Sequence, residues 1–106
     1  MIRIAYDPAR LQVTVRGHAP QKDGGISPVC AAVSMLVYTL AAEVAEWAAE
    51  GRLTQTQWLL RSGDACVACT PQPAVAHRVR AGFETLCRGF ELLCTQFPDQ
   101  VTYERS

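Results

Sequence analysis

Two short runs near the start of the chain, 1–6 and 11–16, carry a strand-like alternation of apolar and polar residues. Leu11-Gln12-Val13-Thr14-Val15-Arg16 puts Leu11, Val13 and Val15 on one face, the period of a half-buried strand. Met1-Ile2-Arg3-Ile4-Ala5-Tyr6 alternates in part, and Asp7-Pro8-Ala9-Arg10 between the two runs has turn chemistry. Together they predict a β-hairpin. Gly17, Pro20, Gly24 and Gly25 then interrupt any regular pattern, so residues 17–27 read as a loop.

The period changes at Ser27-Pro28. Serine is a favoured N-cap, and proline at N1 gives up an amide that would have no helical partner. Val29, Val33, Leu36, Val37, Leu40, Val44, Trp47 and Ala48 fall on one face of the helix that follows, and Gly51 stands where a C′ glycine would end it. Residues 57–61 and 65–69 predict two strands around a tight turn at Ser62-Gly63-Asp64, closed by Pro71 and Pro73. Val75, Val79, Phe83, Leu86, Phe90, Leu93 and Phe97 have helical spacing, and Pro98 stops that second helix. Residues 100–104 suit a last short strand. The predicted order is ββαββα(β), an α+β fold with a mainly antiparallel β-sheet and two amphipathic helices packed on one face.

Composition narrows the function. The chain has 106 residues, enough for a single domain over 1–106, and 49% hydrophobic with 19% charged residues is an ordinary globular mixture. Ten basic and ten acidic residues cancel, which gives phosphate-driven nucleic-acid binding little support. The longest apolar stretch, 29–49, is broken by Ser34, Thr39, Glu43 and Glu46, as in a soluble helix rather than a membrane span. No secretory pattern opens the chain, so a cytoplasmic location is expected. Its five cysteines should then be reduced thiols, and the question is which one is reactive.

Cys30 has the most informative position. With Ser27 as N-cap it is N3, in the first helical turn, near unpaired amides and the positive end of the helix dipole. That setting favours the thiolate, the nucleophilic form. His18 ends the second strand, and the glycine-containing loop can bring its imidazole back to the helix start, where Cys–His is an activated pair. Gly24 and Gly25 would let the loop move around a bound chain, and the first-turn amides could meet an oxyanion. Spacing alone does not make a dyad, because a helical cysteine is most often a small buried apolar residue.

Gly17-His18-Ala19, the loop and Val29-Cys30-Ala31-Ala32-Val33-Ser34 together resemble the ribosomal-processing cysteine protease family, Prp. The resemblance implies an α+β fold, a homodimer and a thiol peptidase. It also implies a protein substrate, the N-terminal extension of bacterial ribosomal protein bL27; no cofactor or metal is expected. Carried over, Cys30 is nucleophile and His18 base, with Gly17 in the histidine motif and Ser34 lining the site one turn beyond Cys30. The family usually has an acid three positions before the cysteine, where this chain has Ser27; either residue caps a helix, but the charge is lost. Asp23 in the loop is a candidate substitute, and Pro28 is unusual for the motif. These departures leave an alternative, a catalytically weakened paralogue, carried by a phage or mobile element, that acts on or binds a different protein.

Other residues read as packing or surface. Cys66-x-x-Cys69 has a zinc-knuckle spacing, but along a strand its thiols face opposite sides and no second pair follows, so a zinc-binding adaptor is the weakest reading. Cys87 and Cys94 share a face of the second helix and read as core or semi-buried thiols. His77 reads as solvated, and Trp47 and Trp58 as core or dimer-interface anchors.

Overall fold

A computed structural model of the chain describes residues 1–19 and 27–106. Strands β1 (Ile2–Asp7) and β2 (Gln12–Arg16) precede helix α1 (Pro28–Ala49). Strands β3 (Leu53–Arg61) and β4 (Asp64–Pro71) follow, then a single 3-10 turn (Pro73–Val75), helix α2 (Ala76–Gln96) and β5 (Val101–Arg105). The strands form one sheet in the order β3-β4-β2-β1-β5. All neighbours are antiparallel except β1 and β5, which run parallel with Ile4 opposite Tyr103. This is the α+β architecture that the patterning predicts.

The alternation in the sequence becomes a two-faced sheet. Ile2, Ile4 and Tyr6 of β1, Val13 and Val15 of β2, Val67 and Cys69 of β4 and Val101 of β5 are buried on the face that carries the helices. From α1, Val29, Val33, Val37, Leu40, Val44 and Trp47 complete this core, and from α2, Val79, Phe83, Cys87 and Phe90. Burial of a side chain such as Leu40 or Phe83 contributes about 1.5–3 kcal/mol. By length and composition α1 could cross a membrane; here its buried stripe packs into the core. Gly51, at φ +73°, ends α1 and donates its amide to the Ala48 carbonyl (3.0 Å), as the C′ position requires.

Two details differ from the pattern. β3 begins at Leu53 rather than Gln57, because Thr54, Gln55 and Thr56 of this edge strand are exposed and show no apolar period. β5 pairs parallel to β1, a choice of partner and direction that alternation within one segment does not encode. Of the cysteines, Cys69 and Cys87 are buried, while Cys30, Cys66 and Cys94 are partly exposed. Trp47 is a core residue, whereas Trp58 stands 46% exposed on the edge strand.

The two helices approach closely because α2 offers glycine where α1 offers bulk. A Cβ on Gly82 would lie 2.7 Å from the Trp47 ring, and one on Gly89 3.0 Å from Leu36. Trp47 and Tyr6 flank Phe83 at centroid distances of 6.4 and 6.2 Å. Gly82→Ala improves helix propensity yet overpacks this stack, so it is expected to cost about 1–3 kcal/mol. Denaturant unfolding of the two proteins measures the loss; a stabilised variant would show that the helices can separate freely.

Candidate active site

The site begins where β2 runs past its last ladder pair. Arg16 lies opposite Asp64, and their side chains form an ion pair at 3.1 Å. Gly17, at φ +94°, donates its amide to the Gly63 carbonyl (3.0 Å). A Cβ at Gly17 would run into the Met1 carbonyl oxygen, so both the backbone angle and the space demand glycine. The amino group of Met1 donates to the His18 carbonyl at 2.7 Å. The backbone on either side of His18 is therefore tied to neighbouring chain, while its side chain is exposed.

The helix supplies the other half. Ser27 is buried, and its hydroxyl accepts the Cys30 amide at 3.3 Å, while its carbonyl accepts the Ala31 amide at 3.0 Å. Ser27 is thus the N-cap and Cys30 is N3, the position that the sequence predicts. Pro28 brings no amide to this turn. The Ala19 amide points at the Cys30 sulfur (3.4 Å). The residue next to the histidine therefore touches the nucleophile candidate directly, and it aims an N–H dipole at the atom that would carry negative charge.

Gly17, His18, Cys30, Ser34, Tyr38 and Leu60 line one cleft, with residues 61–65 of the β3–β4 turn along its other wall. Its volume, ≈ 220 Å³, falls below the roughly 300–1,000 Å³ of small-molecule pockets and suits a few side chains of an extended peptide. The structure brings together Gly17, His18, Ser27, Cys30 and Ser34. Asp23, Gly24 and Gly25 lie outside the described residues. The sequence reading missed Tyr38, Leu60 and the turn. Tyr38 was accessible to it, since Cys30, Ser34 and Tyr38 are spaced four apart along one helix face. Leu60 and the turn reach the cleft through strand pairing, which no local signal announces.

The remaining thiols have no comparable setting. Burial pushes the Cys69 and Cys87 thiols up to about 11, which keeps them protonated and unreactive near neutral pH. Cys66 lies on the opposite face of β4 from Cys69, within 3.5 Å of the Gln12 amide nitrogen. Among the described residues no three His, Cys, Asp or Glu side chains are grouped to hold a metal ion. His77 is exposed at the start of α2.

A family model described as cysteine protease Prp matches residues 1–102. Among solved structures, the chain is similar to an essential ribosomal processing protease Prp from S. aureus in complex with a covalently linked product peptide. That match has a TM-score of 0.76 at 12% identity and covers 100% of both chains. The S. aureus protease in complex with a substrate peptide matches with a TM-score of 0.69 at 10% identity, covering 99% of this chain and 97% of that one. SMU.848 from Streptococcus mutans matches with a TM-score of 0.66 at 23% identity, covering 98% and 90%. No curated protein matches the chain.

The cap at Ser27 is the most direct test of how the sulfur is held. Ser27→Ala is expected to lower stability by about 0.5–2 kcal/mol, and Ser27→Asp, which keeps an acceptor, to recover most of it. Thermal and denaturant unfolding of both variants measure this. Equal losses in the two would show that the hydroxyl contributes no cap.

Proposed function

The chain belongs to the cysteine protease Prp family, and on that premise we propose that it removes the N-terminal extension of ribosomal protein bL27 in the cytoplasm, with Cys30 as nucleophile and His18 as base. It is a cysteine protease with a protein substrate. One observation carries the assignment of residues: a single cleft holds both the half-buried sulfur of Cys30 and the exposed ring of His18, and the Ala19 amide joins the histidine segment to that sulfur. The names of the similar S. aureus structures, a ribosomal processing protease, support the choice of substrate class.

The chemistry follows from these two groups. His18 takes the proton from Cys30 Sγ, and the thiolate attacks the scissile carbonyl carbon. As the tetrahedral intermediate collapses, the C–N bond breaks and the imidazolium gives its proton to the leaving amine. The acyl group is left as a thioester on Cys30. Water, deprotonated by His18, then attacks the thioester, releases the carboxylate product and restores the thiol. Cys30 stands at N3 of α1, in the first helical turn, with its amide capped by Ser27.

A homodimer is part of this proposal. Met35 (66% exposed) on α1 and Trp58 on β3 are large apolar side chains that a second copy would cover. A second reading, a paralogue with a different protein target, is favoured by Ser27, whose neutral hydroxyl is already committed to the helix cap.

Incubation of the protein with a peptide of the bL27 extension and its cleavage sequence, followed by mass spectrometry, tests the reading. Wild type is expected to cut it, and Cys30→Ala and His18→Ala to reduce cleavage by roughly a thousandfold or more with the fold intact by circular dichroism. Undiminished cleavage by Cys30→Ala would remove the thiol mechanism. An uncut peptide together with rapid alkylation of Cys30 would favour the different target.

A further inference from the structure

We propose that Gly63, in the β3–β4 turn, is a positioning residue for His18: its bare α-carbon is the surface on which the imidazole rests, and the turn thereby sets where the ring stands relative to Cys30. The inference rests on the reading of His18 as the base. A Cβ built on Gly63 would overlap His18 Nε2 and lie 2.8 Å from Cε1 and 3.1 Å from Cδ2. Three ring atoms that close to one point mean that the imidazole lies against the glycine, leaving no room for a methyl group. The backbone there has φ +74°, a second reason for glycine.

The turn is a fixed support. Arg61 pairs with Asp64 across it, Asp64 is held by the Arg16 side chain, and the Gly63 carbonyl accepts the Gly17 amide at 3.0 Å. The same turn therefore holds the backbone just before His18 and contacts the ring. Packing of this kind matters more here because the ring is exposed and the Ser27 hydroxyl serves the Cys30 amide. Among the described residues no side chain accepts a hydrogen bond from His18. Contact with the turn excludes those rotamers that would carry the ring through Gly63.

A methyl at Gly63 must push the ring away, since the turn is tied at three points and the ring is the free end of a side chain. Small displacements of a base are costly, and a misplacement near 1 Å can cost about a hundredfold in rate. The experiment compares wild type, Gly63→Ala and Gly63→Asn, each with His18 intact and in the His18→Ala background. Asparagine tolerates positive φ, so Gly63→Asn separates the added Cβ from backbone strain and keeps the test open if Gly63→Ala folds poorly.

Three readouts are taken: the alkylation rate of Cys30 by iodoacetamide at neutral pH, kcat and KM for a cleaved peptide, and the His18 ring cross-peaks by NMR. Both Gly63 variants are expected to slow alkylation and lower kcat by about 10- to 100-fold with KM unchanged, and to move the ring cross-peaks while most backbone peaks stay. In the His18→Ala background the Gly63 changes should then have no further effect on alkylation. Wild-type alkylation and kcat in both Gly63 variants, beside a crippled His18→Ala, would overturn the role of Gly63 and leave the dyad standing. An equal slowing in the His18→Ala background would also overturn it, by showing that the turn acts on something other than the ring. Full activity in His18→Ala would overturn both readings.

Discussion

The amide of Ala19 and the sulfur of Cys30, 3.4 Å apart, join two parts of the molecule that are otherwise separate in the chain. On one side is the continuation of β2, tied to the β3–β4 turn and to Met1. On the other is the first turn of α1, tied down by Ser27 and by the buried stripe that begins at Val29. Neither part makes a site alone. A strand extension without the helix would present an imidazole with nothing to deprotonate, and a capped helix without the strand would present an ordinary thiol. Their contact brings a thiol and an imidazole to one cleft and leaves both reachable by a peptide.

That contact is possible because the packing of sheet against helices fixes both parts. Val29 and Val33 bracket Cys30 and are buried, so the helix cannot rotate without exposing its core face. Val13 and Val15 are likewise buried, and the pleat fixes which side of β2 faces the helices. The cysteine sits at the edge of the α1 stripe, which explains its partial exposure beside fully buried Cys87. The same fold thus sets the Cys30 thiol in the cleft and holds those of Cys69 and Cys87, through burial, in their protonated form.

Much of this was legible in the sequence. The Ser27-Pro28 cap could be read because helix starts have strong local chemistry, and it placed Cys30 at N3. The strand alternation could be read in β1 and β2 because one face is buried and the other is not. Edge strand β3 resisted, since its Thr54-Gln55-Thr56 segment is exposed on both faces and a strand with no buried face leaves no period. The parallel pairing of β5 resisted because direction and partner are set by the whole topology. The far wall of the cleft was hidden for the same reason: Leu60 and Gly63 come near His18 only through the pairing of β2 with β4 and of β4 with β3. The resemblance carried His18 and Cys30 because both lie within contiguous motifs, and it carried nothing about the turn.

The central claim is that the Cys30 sulfur becomes covalently bound to the substrate during turnover. Rapid acid quenching of the protein with a peptide it cleaves, followed by intact and peptide-level mass spectrometry, reads this directly. The account predicts a transient adduct with the mass of the acyl fragment, released by hydroxylamine and mapped to Cys30. Cleavage with no adduct at any time, or an adduct on a different cysteine, would contradict it.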